Sequence, residues 1–150
     1  MLKNTEEYLN QTLIPLRLSG ITKSGWPFVI SLWYVYLDEK IYLATTKTAK
    51  VVEYLLNNPK CAFEIASDIP PYCGIRGQAT AKIITSKGNK ILKILLNRYL
   101  GDEKSSLAQK LLNRKIPEVA IELTPIRVFQ WNYTGRMIDS IDASSVKICP

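Results

Sequence analysis

Residues 26–59 read WPFVISLWYVYLDEKIYLATTKTAKVVEYLLNNP, and the rest of the chain is organised around them. Two β-rich runs come first, at 28–37 and 40–46, with Asp38-Glu39 turning the chain between them. A hydroxyl- and lysine-rich elbow follows, Thr45-Thr46-Lys47-Thr48-Ala49-Lys50. A short amphipathic helix then begins, with Val51, Val52, Tyr54, Leu55 and Leu56 giving an apolar face at helical spacing. Asn57-Asn58-Pro59 stops it, because proline cannot continue a helix and restricts the residue before it. A strand end, threonine hydroxyls, two lysines and a helix N-terminus therefore converge. Free backbone N–H groups, the positive end of the helix dipole and ammonium groups make that point a physically sensible anion site.

Working outward, residues 5–11 form a short leading helix capped by Asn4 or Thr5. Residues 13–21 read as a first strand, turned at Ser24-Gly25 into the run that ends at Leu37. Both faces of that run are largely apolar, which predicts a central strand covered on both sides. Further strands are expected at 60–66 and from Tyr72 or Cys73 to Thr85, where Gly74 and Gly77 mark a bulge or a close backbone approach. Residues 86–100 read as a helix stopped by Gly101, and 103–113 as a second helix. Strands at 118–124 and 126–131, broken at Pro125, close the pattern. Six or more strands with hairpin connections predict a mainly β (α+β) fold, an antiparallel barrel with short flanking helices, in one domain over residues 1–150. Neither a GxGxxG nor a GxxxxGK[ST] motif occurs, so a Rossmann site and a P-loop are unsupported.

The chain contains no histidine. That excludes Ser-His-Asp and Cys-His catalysis, histidine metal sites and histidine general bases. An enzyme built this way draws its chemistry from a cofactor, and the elbow is read as holding the phosphate of a flavin-type one. Three widely spaced cysteines, Cys61, Cys73 and Cys149, give neither a disulfide framework nor a zinc pattern and are expected as reduced thiols. No secretion-signal pattern opens the sequence and no apolar run spans a bilayer, so the cytoplasm is the expected compartment. The net charge of +7 is concentrated at 82–115, where nine basic residues face only Asp102 and Glu103. The segment reads first as the solvated face of one or two surface helices, since no aromatic platform accompanies it, and second as a polyanion patch.

Four pieces in this order resemble the pyridoxamine 5′-phosphate oxidase-like family. They are the strand Gly25-Trp26-Pro27-Phe28-Val29-Ile30-Ser31-Leu32-Trp33-Tyr34, the elbow from Leu43 to Lys50, Asn58-Pro59-Lys60-Cys61-Ala62-Phe63, and Pro71-Tyr72-Cys73-Gly74-Ile75-Arg76-Gly77-Gln78-Ala79. Residues 122–131 are similar to the family's closing strand. The resemblance implies a split β-barrel that binds FMN or the deazaflavin F420, as a homodimer with cofactor at the subunit interface. Carried over by position, it implies that Ile30, Ser31, Leu32 and Trp33 line the isoalloxazine edge. Thr45 and Thr46 would bond the ribityl-phosphate region, and Thr48 and Lys50 the phosphate. Tyr72 would stand near the cofactor, with Trp131, and less directly Arg136, reaching in from the partner subunit. The oxidases themselves have arginine at the position of Ile30 and an Arg-Lys pair at Ala49-Lys50, so the resemblance is nearer to the small reductase-like members. The expectation is an FMN-binding oxidoreductase acting on a small-molecule substrate. The alternatives are an F420-dependent reductase, or a non-catalytic barrel binding cofactor or nucleic acid, with nucleic acid and membrane both disfavoured as partners.

Overall fold

The computed structural model describes residues 3–137 and Cys149. Helix α1 (Lys3–Gln11) leads into strands β1 (Leu16–Ile21), β2 (Pro27–Leu32), β3 (Tyr34–Leu37) and β4 (Lys40–Thr46). Helix α2 (Lys50–Asn57) precedes β5 (Lys60–Ala66) and β6 (Cys73–Ile84). Helices α3 (Gly88–Leu100) and α4 (Ser106–Leu112) then lead to β7 (Glu118–Asn132).

The strands form one sheet in the order β2-β1-β5-β6-β7-β4-β3, with every neighbouring pair antiparallel. Strands β2 and β3 lie at opposite edges, yet only Trp33 separates them in the chain. A sheet whose two edges are one residue apart in the chain must curl until they nearly meet, and this one is a split barrel. The long strand β7 makes the curl possible. Residues 118–123 of β7 pair with β4, while its later half pairs with β6 alone. The register shifts between Gln78 and Ala79, so Ile126 next to Pro125 is bulged out and bends the strand.

This corrects the expectation of one central strand over 28–37. The chain turns at Trp33, and the two pieces serve different sheet edges. On β3, Tyr34, Val35 and Tyr36 are buried from both sides. On β2, the face carrying Val29 and Ser31 is exposed. Apolar residues on both faces were needed for two edges, not for one covered centre.

The barrel interior is filled by Leu16, Leu18, Tyr34, Ile41, Leu43, Phe63, Ile65, Ile75, Ile121 and Leu123, and α2 plugs one side with Val51, Val52 and Leu55. Helix α3 packs Ile91 and Leu95 on the opposite face of the β3-β4-β7 half, against Val35, Tyr42 and Ala120. It can lie this close because residue 88 is glycine: a methyl there would fall on the Glu118 carbonyl. Gly101, at φ +83°, ends α3 in the left-handed conformation that favours glycine. Ser105 caps α4 by accepting from the Ala108 N–H at 3.1 Å. Arg98 docks α1, donating to the carbonyls of Leu9, Asn10 and Thr12 at 2.7–2.8 Å.

Cys73 and Cys149 form a disulfide, against the expectation of reduced thiols. An odd count at wide spacing hid the pair, because it closes across 76 residues. Cys61 is free, and burial pushes its thiol up to about 11. Among the described residues no helix is long and apolar enough to cross a membrane.

Candidate functional site

The elbow is built by strand pairing on one side and helix geometry on the other. Thr46, at the end of β4, lies opposite Glu118 on β7. The Lys47 N–H then donates to the Pro117 carbonyl at 2.8 Å, and the Ala49 N–H to the Thr46 carbonyl at 3.0 Å. Ala49 takes the N-cap position with extended backbone and offers no side-chain oxygen. The Val52 N–H donates to the Ala49 carbonyl at 2.9 Å, and no side chain caps the first turn, so the Lys50 and Val51 N–H groups are left uncapped by any side chain. Thr48 and Lys50 are exposed beside them. The Lys50 ammonium lies 3.0 Å from Glu53, which also takes Lys23 at 2.8 Å. Those two lysines hold the Glu53 carboxyl below its ordinary value, and Glu53 raises Lys50.

Four of the residues singled out from sequence meet next to this elbow. Ser31, Leu32, Trp33 and Thr45 line a cleft of about 260 Å³, together with Leu92, Leu95, Leu111, Arg114 and Glu118. The cleft opens where the chain leaves β2, and helices α3 and α4 form its far wall. Trp33 stacks on Tyr99 with ring centroids 4.9 Å apart and planes within 8°, which fixes its ring inside the chain. Ile30 packs against the barrel core instead of lining the cleft. Thr46, Thr48 and Lys50 follow along the elbow outside the cleft lining.

Tyr72 and Trp131 stand elsewhere. Trp131 pairs with Gly74 across the β6–β7 ladder, and the Tyr133 N–H donates to the Tyr72 carbonyl at 2.9 Å. Trp131 lies 5.2 Å from Tyr133, which Arg136 covers at 5.4 Å. The buried indole Nε1 of Trp131 has no hydrogen-bond partner. In the sheet order, β1, β5 and β6 intervene between β2 and this corner. Within a single chain the ten residues therefore fall in two places.

Two wall residues escaped the sequence reading. The Glu118 side chain is only 4% exposed and meets Arg114 Nη1 at 3.3 Å, while Arg114 is 45% exposed. Burial raises the Glu118 carboxyl above the ordinary value of 4.5, with Arg114 opposing. One strand turn further, Glu122 is equally sheltered but lowered: Lys40 reaches it at 2.8 Å, Tyr42 OH donates at 2.9 Å and Lys87 stands at 4.0 Å. Burial first, and then the Glu122 carboxylate, push the Tyr42 hydroxyl up to about 12. In sequence, Arg114 was one of nine basic residues and Glu118 the start of a strand; an Arg-x-x-x-Glu pair spanning Pro117 was the available signal.

Four of the nine basic residues at 82–115 are engaged by the fold. Lys87 pairs with Glu122, Lys93 with Glu103, Arg114 with Glu118, and Arg98 docks α1. Larger hollows lie elsewhere. One of about 550 Å³ adjoins the Asp38-Glu39 turn, and one of about 430 Å³ crosses the sheet face past Val29 and Phe129. Among the described residues no group of acidic, cysteine and histidine side chains could hold a metal.

No protein-family model matches the chain, and no curated protein matches it in sequence. Its fold does match solved structures. A conserved hypothetical protein from Mycobacterium tuberculosis superposes with a TM-score of 0.74 at 18% identity, over 98% of this chain and 92% of the other. An F420 reductase gives 0.66 at 18% identity, over 82% and 94%. The heme storage protein HutZ from Vibrio cholerae gives 0.67 at 16%, over 85% and 93%. The same split-barrel fold occurs in a putative pyridoxamine 5′-phosphate oxidase from Listeria innocua, with a TM-score of 0.60 at 14% identity, over 86% of this chain and 93% of the other.

Proposed function

We propose that the chain is a flavin-type redox protein that binds FMN, or alternatively F420, and reduces or oxidises a small molecule. The observation that carries this reading is the meeting of Ser31, Leu32, Trp33 and Thr45 in one cleft beside the uncapped start of α2. The residues fit such a group. Uncapped N–H groups, Thr46, Thr48 and Lys50 offer donors to a phosphate. When bound, the ring system would supply hydride transfer, while the protein contributes position and electrostatics. Leu32, Trp33 and the leucines of α3 would exclude water from one side of the cleft. Lys50 would have to share its charge between Glu53 and the ligand.

Trp131 and Tyr72 belong to the same site only if a second copy supplies them, so the reading includes a homodimer. It is supported by the sheet face over β2, β1, β5, β6 and the end of β7, where Val29 is 67%, Ile126 69% and Phe129 47% exposed. Exposed apolar residues so close together on one sheet mark an interaction surface. The heme storage likeness is not carried over, because the cleft lining holds no axial heme ligand of the His, Cys, Met or Tyr type.

The test is a spectroscopic titration of the purified protein with FMN and with F420, run in a sedimentation cell. The expected result is a visible chromophore co-sedimenting at twice the chain mass. Thr48→Ala and Lys50→Ala together should weaken binding at least about tenfold, the loss of one or two charge-assisted phosphate bonds. A protein that takes up neither cofactor overturns the reading.

A further inference from the structure

Arg114 and Glu118 have no place in the phosphate elbow, yet they form the polar end of the cleft. The remaining wall is Leu32, Trp33, Ala44, Leu92, Leu95 and Leu111, with the hydroxyls of Ser31 and Thr45. About 260 Å³ lies just below the usual range for drug-sized ligands, so the space suits one ring with a polar tip. At that tip stand an exposed guanidinium and a sheltered carboxyl, joined by one bond of 3.3 Å. That is longer than the 2.7–2.9 Å of a tight charge-assisted pair, so a better-placed acceptor can replace Glu118 on the guanidinium.

The surroundings of Glu118 make the pair exchangeable. Its ladder neighbour on β4 is neutral Thr46, and α3 presents Gly88 to it. Lys87, on the turn before α3, is committed to Glu122, and the Lys47 backbone to Pro117. Arg114 is thus the ionic partner of Glu118 among the described residues. An anion that draws Arg114 away would leave a buried carboxylate alone, and a carboxylate in that position takes a proton instead.

We propose that Arg114 and Glu118 make this cleft a site for a small carboxylate with an apolar body, bound by Arg114 and accompanied by one proton that Glu118 takes up. The charges balance: the anion replaces Glu118 on Arg114, and the proton neutralises Glu118. This rests on the cleft being a ligand site, as in the proposed function, and assigns its ligand class.

Benzoate serves as the probe and benzamide as its neutral match, in calorimetric titrations near neutral pH. Two buffers of different ionisation enthalpy are used, on protein as purified and after cofactor saturation. Benzoate should bind at least tenfold more tightly than benzamide. Its apparent enthalpy should differ between buffers by the amount that uptake of close to one proton requires. Glu118→Gln should retain benzoate binding with a buffer-independent enthalpy. Arg114→Met should weaken benzoate at least tenfold and leave benzamide unchanged, with circular dichroism confirming the fold. Failure to bind benzoate in both samples, equal affinity for the two probes, or a wild-type enthalpy independent of buffer overturns the proposal. Cofactor uptake without benzoate binding sinks this inference and leaves the flavin reading standing; benzoate binding with proton uptake but no cofactor does the reverse.

Discussion

Glu118 and Glu122 share one face of β7 and are pushed in opposite directions. Glu118, held above 4.5 by burial, contributes stability while protonated, and that contribution is lost as pH rises from 4.5 through its raised value. Glu122, lowered chiefly by the bond from Lys40, contributes stability above 4.5 that is lost as pH falls through its lowered value. Thermal melts across pH should therefore separate two variants. Glu118→Gln should melt above the parent near neutral pH, with the gap closing toward pH 4.5 and below. Glu122→Gln should melt below the parent near neutral pH by about 2 kcal/mol of stability, the order expected for hydrogen bonds to a charged group, with the gap closing in acid. Two parallel pH profiles would show that these environments do not differ as described. Sequence singled out one side of the cleft, Ser31, Leu32, Trp33 and Thr45, while the lysines and later threonines of the elbow lie outside its lining. The other side was not legible, because Arg114 and Glu118 meet Thr45 only after α3 and α4 fold back over β4.

At the scale of elements, local signals were sufficient wherever the stop is local. Gly101 ends α3, Asn58-Pro59 ends α2, and the strand at 60–66 runs as expected. Periodicity failed at 28–37, since apolar residues on both faces describe a buried central strand and a pair of sheet edges equally well. At the break, Trp33 stacks on Tyr99, a contact far away in the chain that local periodicity does not register. The placement of α3 is a sharper test of how elements meet. Gly88→Ala should force α3 off the Glu118 carbonyl and cost about 3 kcal/mol, the upper end of overpacking. Urea unfolding measures the loss, and an unchanged midpoint would mean that α3 does not sit this close. The same variant should disturb the cleft, whose far wall α3 supplies.

For the molecule as a whole, the antiparallel barrel followed from hairpin connections, while its strand order was not legible and the covalent tie from β6 to residue 149 was invisible in an odd cysteine count. The Cys73–Cys149 bond restricts the unfolded chain over a separation of 76 residues and should contribute about 2–4 kcal/mol. Melting with and without a thiol reductant reads this directly, and Cys149→Ser should reproduce the reduced curve. Identical curves for all three would show that the bond adds nothing to the fold. The tie also divides the cleft topologically. Leu92, Leu95, Leu111, Arg114 and Glu118 lie inside a covalent ring, whereas Ser31, Trp33 and Thr45 lie on the open chain before it. A protease that nicks the exposed connection at 101–105 would therefore leave both pieces as one molecule, running as a single band without reductant and as two with it, whereas a nick at Asp38-Glu39 would release a fragment in either case once the fold is undone.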